Sequence, residues 1–242
     1  MIPARLGSTR LPGKPLRLVA GEPLIRRVAR RVLEFRLGAA VVVATDHESI
    51  AEAVADLPVT SVLTTGPCAS GTERVWRVSR RPEYTRADVI LNVQGDEPLV
   101  ERAALMGAME QVRNGADVGT AAGPLSPVAA RSPNRVKVSV DGRGRALRFF
   151  RTASAAGCSR PETVLHHVGV YAYRPVALKR WVELPPVAEE RTEGLEQVRP
   201  LSYGMVVGVA PLEGPPASGV DTAGDLEEME HLLAATGPGM DG

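Results

Sequence analysis

The stretch Val89-Ile90-Leu91-Asn92-Val93-Gln94-Gly95-Asp96-Glu97-Pro98 joins an apolar run of strand length to a short polar turn. Similar apolar runs recur at residues 41–44, 59–63 and 118–121. Strands that are buried on both faces give continuous apolar runs, and helices between them supply the crossovers. The pattern therefore predicts an α/β fold with a Rossmann-like, mostly parallel sheet and helices on both faces. The predicted helices are residues 23–37, 48–55, 71–78 and 101–112.

The second half of the chain carries a different strand pattern. Val136, Val138 and Val140 alternate with polar residues ahead of Gly142-Arg143-Gly144, and another short apolar run follows. Such alternation predicts a half-buried β-hairpin, which extends the sheet or forms an arm. The remaining predicted elements are a strand at 168–173, helices at 176–182 and 192–201, a strand at 205–210 and a helix that starts near Asp221.

Bulk composition limits the class of protein. With 242 residues and 44% hydrophobic content, the chain can bury a full core without disulfides or structural metals. A net charge of +1 gives no argument for a nucleic acid or a membrane surface as partner. No apolar run reaches the roughly 20 residues that cross a bilayer, and the N-terminus lacks the apolar core of a secretory signal. We therefore expect a cytoplasmic protein with neither a nucleic-acid nor a membrane partner.

Common metal and redox motifs are absent from the sequence. Cys68 and Cys158 stand apart with no C-x-x-C, so neither a zinc ribbon nor a redox pair is implied. His47 and Glu48 do not form H-E-x-x-H, which excludes that kind of zinc site. His166 and His167 lie beside a predicted strand, where packing is the ordinary role of histidine.

The N-terminal loop, residues 2–16, combines Arg5, Arg10 and Lys14 with Gly7 and Gly13. Small residues let backbone N–H groups approach phosphate oxygens, and the cations balance a polyanion, so the loop predicts a triphosphate cradle. It matches neither the P-loop nor the G-x-G-x-x-G pattern. Only 3 of the 29 basic residues are lysine, and one of them stands here. The alternative is a solvated basic surface loop.

The strand ahead of this loop has at most four residues, Met1 to Ala4. A central strand of a doubly wound sheet is usually longer and buried on both faces. We therefore expect either that the first strand is unusually short or that the natural protein starts several apolar residues upstream.

Two aspartates follow predicted sheet segments and are candidate Mg²⁺ ligands. Asp96 comes directly after an apolar strand, where open α/β sheets bind ligands, and Asp221 precedes the last helix in Gly219-Val220-Asp221-Thr222. The alternatives are a turn acid or a helix N-cap ahead of Pro98 for Asp96, and a helix N-cap for Asp221. Ser70-Gly71-Thr72-Glu73-Arg74 opens another helix, and its small residues would let a base or ribose approach the backbone.

Taken together, these segments resemble the 3-deoxy-manno-octulosonate (Kdo) cytidylyltransferases, also called CMP-Kdo synthetases. The motifs stand in family order over nearly the whole chain, which makes them more specific together than singly. They are residues 2–16, Val42-Val43-Ala44-Thr45-Asp46-His47, residues 70–74, residues 92–98, His167-Val168-Gly169-Val170-Tyr171-Ala172-Tyr173-Arg174, Leu195-Glu196-Gln197-Val198-Arg199 and Gly219-Val220-Asp221-Thr222.

The resemblance implies the nucleotide-diphospho-sugar transferase fold and a reaction in which an acceptor oxygen attacks the α-phosphorus of CTP and pyrophosphate leaves. Arg5, Arg10 and Lys14 would bind phosphates, and Asp96 and Asp221 would bind Mg²⁺ as cofactor. The residues that would line the cytidine site are Ala4, Leu6, Ser70, Gly71 and Arg74. The residues on the acceptor side would be Gln94, Arg151, His167, Tyr171, Glu196 and Gln197.

The segment after Arg151 departs from the family pattern. Family members follow this arginine with a small-residue-Ile-Pro segment and a longer stretch before the histidine, whereas residues 152–157 here run quickly to His166. The acceptor is therefore left open. It is Kdo or a similar ulosonic acid, or alternatively a small phosphonate, as in the phosphonate cytidylyltransferases of natural-product pathways. A non-catalytic nucleotide-binding module is a second alternative.

The resemblance also assigns roles along the chain. It implies one cytidylyltransferase domain at 1–236, with a nucleotide-binding half at about 1–125, acceptor and dimerisation elements at about 134–205, and a closing strand and helix at about 205–236. Residues 237–242 are expected to form a flexible tail. The implied partners are CTP, an acidic small-molecule acceptor and a second copy of the chain in a homodimer.

Overall fold

Strands and helices alternate along the computed structural model, which describes residues 1–152 and 162–236. The strands are β1 Ile2–Ala4, β2 Leu18–Val19, β3 Glu22–Pro23, β4 Val42–Thr45, β5 Thr60–Leu63, β6 Ile90–Val93, β7 Val118–Pro124, β8 Lys137–Val140, β9 Ala146–Phe150, β10 Thr163–Tyr173 and β11 Val207–Pro211. The helices are α1 Leu24–Glu34, α2 Glu48–Glu52, α3 Gly71–Ser79, α4 Arg102–Arg113, α5 Pro127–Arg131, α6 Pro175–Glu183, α7 Ala188–Glu193, α8 Val198–Ser202 and α9 Ala223–Thr236.

The short strand β1 sits between β4 and β6 in the N-terminal half. It pairs in parallel with β4, which pairs in parallel with β5. On its other side, the Met1 amine donates to the Leu91 carbonyl at 2.7 Å, and Val93 N–H donates to the Met1 carbonyl at 3.0 Å. All three residues of β1 are buried. Because parallel strands end at one edge of a sheet, the loops after β1 and β6 meet there.

The long strand β10 makes the second half of the sheet mixed. It pairs antiparallel with β6, β7 and β8, whereas β11 pairs in parallel with β7. The predicted α/β, Rossmann-like fold class is confirmed. The parallel pairing expected from the apolar runs is found among β1, β4 and β5, and the strand that follows the hairpin reverses direction.

Several predicted elements differ from the structure in their bounds, and two of the differences have a clear physical reason. The strand predicted at 168–173 begins five residues earlier, at Thr163, because its first part pairs with β8 of the hairpin. The single helix predicted at 192–201 is wrong. Gly194 adopts a φ of +64° and ends α7, so a turn through residues 195–197 separates α7 from α8.

The predicted hairpin is present as β8 and β9, and it extends the sheet because β8 also pairs with β10. Its turn is organised by Asp141, whose Oδ1 accepts the N–H groups of Arg143 at 2.8 Å and Arg145 at 2.9 Å. Gly144 takes a φ of +73°, a conformation that glycine adopts without steric cost. Local turn chemistry thus accounts for this element.

Helix α4 packs across β7, β10 and β11, and its buried face carries Ala104 and Ala108 beside Leu105 and Val112. Gly119 of β7 approaches this helix so closely that a Cβ atom would lie 1.8 Å from the Ala108 carbonyl oxygen. Only glycine permits that contact. The core around this interface includes Ala104, Leu105 and Val112 and continues to β1.

Within residues 1–152 and 162–236, the structure contains no helix with the length and apolarity that a membrane span requires. Cys68 is a half-buried free thiol. Cys158 and the expected tail at 237–242 lie outside the described residues, as does most of the segment that departs from the family pattern after Arg151.

Candidate active site

A polar cleft of about 420 Å³ opens at the edge where β1 and β6 end. This volume lies within the range of small-molecule sites in proteins. The N-terminal loop, the start of α3, the turn after β6, the middle of β10 and the loop before α9 all contribute to it. The predicted site residues that line the cleft are Ala4, Arg5, Arg10, Lys14, Ser70, Gly71, Arg74, Gln94, Asp96, Arg151, His167, Tyr171, Glu196, Gln197 and Asp221. Leu6 is not among the lining residues.

Lys14 joins the two predicted metal-binding aspartates. Its Nζ donates to Asp96 Oδ2 at 2.5 Å and to Asp221 Oδ1 at 3.0 Å, and Arg10 Nη2 lies 2.9 Å from the same Asp221 oxygen. Burial opposes the charge of Lys14, but the two carboxylates outweigh it and raise the pKa of Lys14. Likewise, burial disfavours ionisation of Asp221, but Lys14 and Arg10 lower its pKa. The structure therefore brings together residues separated by 207 positions in sequence.

The carboxylate of Asp221 does not cap helix α9. Thr222 Oγ1 accepts the Asp225 N–H at 3.2 Å, and Asp225 Oδ2 accepts the N–H groups of Asp221 at 3.0 Å and Thr222 at 2.8 Å. These reciprocal bonds form a capping box. The N-cap alternative for the Asp221 side chain is therefore wrong, because Thr222 and Asp225 cap α9 between them.

Asp96 is not a capping residue either. The next helix, α4, has Glu101 at its N-cap with no side-chain capping bond, and the Asp96 carboxylate contacts Lys14 instead. The backbone of Asp96 holds the loop before α9, because its carbonyl accepts the Val220 N–H at 2.9 Å. The two aspartates are thus tied together through their main chains as well as through Lys14.

The loop that carries Arg10 and Lys14 is anchored by apolar contacts. Leu11 is buried in a cluster with Val19, Leu24, Val220 and Met229, which joins the loop to α9. Gly13 takes a φ of +67° ahead of a single 3-10 turn that begins at Lys14. Burial of Leu11 fixes the loop, so its basic side chains are held at the cleft and the surface-loop alternative does not describe Lys14.

The predicted cytidine side is organised by Arg74, which is only 3% exposed. Its guanidinium donates to Asp46 Oδ2 at 3.0 Å and to Thr64 Oγ1. Asp46 Oδ1 also accepts the Leu6 N–H at 3.0 Å, so Leu6 contributes through its main chain while its side chain packs on the core. Arg74 therefore supports this corner of the cleft from behind.

Ser70 links the predicted nucleotide side of the cleft to the predicted acceptor side. Its Oγ accepts the Glu73 N–H at 3.1 Å as the N-cap of α3 and donates to Glu196 Oε1 at 2.6 Å. Burial raises the pKa of Glu196 above its ordinary value. Gln197 is buried beside it at the start of α8, and the Gln94 amide donates to Asn92 Oδ1 at 3.4 Å.

Arg151 holds the end of the hairpin against the cleft. Its guanidinium donates to the carbonyl oxygens of Asn134 at 2.9 Å and Glu193 at 3.3 Å. Behind it, the buried Lys137 Nζ donates to the Arg151 carbonyl at 2.6 Å and to the Ser132 carbonyl. In the described part of the chain, neither cation has a carboxylate within ion-pair distance. Burial lowers the pKa of both groups.

His167 and Tyr171 form an aromatic floor on the predicted acceptor side of the cleft. The ring of His167 lies 5.1 Å from that of Phe149 and 5.5 Å from that of Tyr171. Thr120 Oγ1 donates its proton to the Val170 carbonyl at 2.7 Å, so it must accept from His167 Nε2 at 2.9 Å. This leaves Nδ1 of His167 unprotonated. Burial lowers the pKa of His167 to about 3 and raises that of Tyr171.

We expect the buried histidines to make the fold sensitive to acid. Burial lowers the pKa of His166 to about 4 and that of His167 to about 3, against about 6.5 in an unfolded chain. Between these values the unfolded chain binds more protons, so stability is full above about pH 7 and falls as pH drops through about 6.5.

Urea unfolding at about pH 7.5 and about pH 5.5 checks this expectation. His167→Gln should lose less stability on acidification than the parent protein does. His231→Gln, at an exposed position on α9, should keep the parent's pH dependence. An unchanged pH dependence in His167→Gln would contradict the assignment.

Glu97 is a cleft residue that the sequence did not single out. Its Oε1 accepts the Gly169 N–H at 2.8 Å, and a Cβ on Gly169 would lie only 2.7 Å from that oxygen. Burial is the main cause that raises the pKa of Glu97 to about 8, and the neighbouring negative charge of Asp96 adds to the effect. Near pH 7 it is mostly neutral, which leaves two carboxylates facing Lys14 and Arg10. The sequence feature that could have identified Glu97 as a cleft residue is its position directly after Asp96.

The two aspartate oxygens of the cleft suit a hard divalent cation whose remaining coordination positions are filled by a bound ligand and water. Oδ2 of Asp96 and Oδ1 of Asp221 both lie within 3.0 Å of the Lys14 ammonium, at a point that a cation already occupies. Among residues 1–152 and 162–236, no group of three or more His, Cys, Asp or Glu side chains could hold a metal ion. Mg²⁺ commonly takes one or two carboxylates and completes its shell with phosphate oxygens and water.

Comparison with known proteins identifies the family. The profile described as cytidylyltransferase matches residues 1–207. The chain belongs to the cytidylyltransferase family. A 3-deoxy-manno-octulosonate cytidylyltransferase of Gemmatimonas aurantiaca is 48% identical to this cytidylyltransferase over 93% of the chain and 90% of that protein. The enzyme of the same name from Methylococcus capsulatus is 46% identical over 98% of the chain and 97% of that protein.

Solved structures support the fold of this cytidylyltransferase. CMP:2-keto-3-deoxy-manno-octonic acid synthetase complexed with CTP superposes with a TM-score of 0.84 at 34% identity and covers 97% of both chains. A cytidylyltransferase from Leptospira borgpetersenii has a TM-score of 0.62 at 17% identity over 97% of this chain and 85% of its own, a likeness that concerns the fold alone. The resemblance to Kdo cytidylyltransferases drawn from the motifs is confirmed.

Proposed function

We propose that this protein transfers CMP from CTP to 3-deoxy-manno-octulosonate and releases pyrophosphate. The observation that carries the proposal is the meeting of Arg10 and Lys14 with Asp96 and Asp221 in one cleft. The names of the relatives from Gemmatimonas and Methylococcus support the acceptor, and the CTP complex of the solved relative supports the donor.

The cationic loop suits a triphosphate. Arg5 is exposed at the cleft and has no ion-pair partner among the described residues, so it is available to an incoming phosphate. Lys14 and Arg10 are held by carboxylates whose contacts a triphosphate can replace. Charge-assisted hydrogen bonds to phosphate oxygens are stronger than neutral ones, which favours the exchange.

Asp96 and Asp221 are the residues that would hold Mg²⁺. When bound, magnesium would draw electron density from the leaving phosphates and lower the pKa of the acceptor hydroxyl. Lys14 and Arg10 would then move from the carboxylates to the phosphates without leaving the cleft. These two cations and two carboxylates balance one another in the free protein, and their contacts would be exchanged when substrate binds.

The acceptor side carries positive charge without a carboxylate partner. Arg151 lines the cleft and Lys137 lies behind it, and both donate to backbone carbonyls only. A buried or half-buried cation gains strongly from an added anion, so an acidic acceptor would supply the missing charge. The neutral His167 and Tyr171, together with the Glu196 carboxyl, whose pKa burial raises, then offer hydrogen-bonding groups to the acceptor's hydroxyls.

The reaction proposed is a single displacement at phosphorus. The acceptor hydroxyl oxygen forms a bond to the α-phosphorus while the bond from that phosphorus to the bridging oxygen of the β-phosphate breaks. The bridging oxygen keeps the electron pair and leaves as pyrophosphate, and the hydroxyl proton is lost to solvent. Arg5, Arg10 and Lys14 stabilise the charge on the leaving group, and the acceptor side fixes the line of attack.

A pyrophosphate-release assay tests the function. We expect release with CTP, Mg²⁺ and Kdo, and little release when UTP or ATP replaces CTP. Parallel reactions with other ulosonic acids and with small phosphonates test the acceptor. Faster turnover with a phosphonate than with Kdo would overturn the acceptor. CTP binding without release for any acid would favour the non-catalytic alternative.

Arg151→Ala should weaken use of the acceptor more than binding of CTP. Loss of a charge-assisted contact is expected to raise the acceptor KM about 10-fold to 100-fold, while the Kd for CTP changes less than about 3-fold. Steady-state kinetics with calorimetry of CTP binding measures both. Arg143→Ala removes an exposed arginine in the turn of the same hairpin and should leave both constants unchanged. Equal losses in both constants for Arg151→Ala would place Arg151 elsewhere.

A homodimer is part of the same proposal, as is a cytoplasmic location. Sedimentation velocity at micromolar concentration, with and without CTP, measures the assembly state directly. A monomer under both conditions would contradict the dimer without affecting the assignment of the reaction.

A further inference from the structure

The loop that presents Asp221 is held from both ends by two side chains outside the predicted site. Arg135 Nη1 donates to the Gly219 carbonyl at 3.0 Å. Asp225 Oδ2 accepts the Asp221 N–H at 3.0 Å and the Thr222 N–H at 2.8 Å. One group fixes the start of the loop and the other fixes its end, with Asp221 between them.

These two side chains also form a buried ion pair with each other. Arg135 Nη2 lies 2.8 Å from Asp225 Oδ1, and the two residues are 8% and 7% exposed. Asp225 therefore uses one carboxylate oxygen for Arg135 and the other for the loop. A guanidinium that binds a carboxylate and a carbonyl at once has little freedom to turn.

We propose that Arg135 and Asp225 are a positioning pair that holds Asp221 in the orientation needed to bind a divalent cation. The inference rests on the proposed function, because it takes Asp221 to be a metal ligand. It adds two residues that lie outside the predicted catalytic, nucleotide-binding and acceptor-binding sets. Arg135 comes from the segment before β8 and Asp225 from α9, so the pair couples the hairpin to the last helix.

The free protein indicates why such a pair is needed. Asp96 and Asp221 are kept close by Lys14 and Arg10, which hold their charges together. Once those cations turn to a triphosphate, the two carboxylates repel each other until a metal ion binds. A loop fixed by Gly219 and Asp225 keeps Asp221 in place during this exchange. Groups that orient metal ligands typically contribute about 10-fold to 100-fold in metal affinity.

Binding of Mn²⁺, used as a paramagnetic probe for the Mg²⁺ site, tests the proposal. Mn²⁺ is titrated into the full-length protein with CTP present, and the water-proton relaxation rate reports protein-bound ion. We expect Arg135→Gln and Asp225→Asn each to weaken Mn²⁺ binding about 10-fold to 100-fold, while the double variant loses little more than either single variant. The apparent KM for Mg²⁺ should rise in parallel, and excess Mg²⁺ should restore most of the turnover.

Glu228→Gln is the matched control. Glu228 Oε2 lies 3.0 Å from Arg135 Nη2, but its side chain is 54% exposed and is not bonded to the Asp221 loop. This variant should keep Mn²⁺ affinity within about 2-fold of the parent. Circular dichroism and thermal unfolding confirm that each variant is folded. If Arg135→Gln does not fold, Asp225→Asn carries the test, because it keeps an oxygen for the loop.

Two outcomes would overturn the proposal, and they are distinguishable. Folded variants that bind Mn²⁺ as tightly as the parent would mean that the pair supports the fold only. A parent protein that binds no Mn²⁺ in the presence of CTP would remove the metal role of Asp221, and with it the metal part of the proposed function.

Discussion

Turnover is expected to fall at least ~100-fold when Asp96 is replaced by asparagine, with the fold intact. The carboxylate contacts Lys14 at 2.5 Å and is a proposed ligand of the ion that balances charge on the phosphates. An amide has nearly the same shape but no charge. The loss should therefore appear in kcat more than in thermal stability.

Pyrophosphate release at saturating CTP, acceptor and Mg²⁺ measures the effect, and a Mg²⁺ titration tests for rescue. Asp56→Asn is the control, because Asp56 pairs with Arg26 on the surface away from the cleft. It should retain parental turnover. Near-normal turnover of Asp96→Asn at saturating Mg²⁺ would show that Asp96 is not a ligand.

Lys14→Gln is expected to change two affinities in opposite directions, that for CTP and that for a divalent metal ion. Affinity for CTP should fall about 10-fold to 100-fold, because a charge-assisted phosphate contact is lost. Affinity for Mn²⁺ in the absence of CTP should rise, because Lys14 occupies the point between Asp96 and Asp221 in the free protein. Coupling between nucleotide and metal binding should therefore weaken.

Calorimetry of CTP binding and relaxation titrations of Mn²⁺ without nucleotide measure the two affinities separately. Lys179→Gln provides the matched control, because this lysine pairs with Glu183 on the exposed face of α6. Both affinities should be unchanged in that variant. A lower Mn²⁺ affinity in Lys14→Gln would mean that Lys14 does not compete with the metal ion.

The α/β architecture could be predicted from the sequence because its strands can be recognised from local composition alone. Runs such as 89–93 are apolar throughout, and the helices between them have clear spacing. The extent of β10 could not be predicted in the same way. Residues 163–166 are strand because they pair with β8, and that pairing depends on tertiary contact rather than on local composition.

The same distinction between local sequence signals and tertiary contacts applies to the residues of the candidate site. Arg10, Lys14, Asp96 and Asp221 stand in motifs, so the sequence could suggest them, and the structure brings them together. The roles proposed for them stay predictions. Arg135 and Asp225 have no such motif, because their importance lies in which backbone groups they reach. The capping box of Thr222 and Asp225 could not be predicted for the same reason. Spacing in the sequence does not distinguish Asp221 from Thr222 as the N-cap of α9.

The apolar cluster of Leu11, Val19, Leu24, Val220 and Met229 makes the candidate active site depend on contacts between distant parts of the chain. Lys14 and Asp221 meet only when α9 is docked on the N-terminal loop. Partial detachment of that helix would separate the charges while the sheet stayed intact. Catalytic competence should therefore disappear at a lower denaturant concentration than β-structure does, so that a folded but inactive population exists between the two transitions.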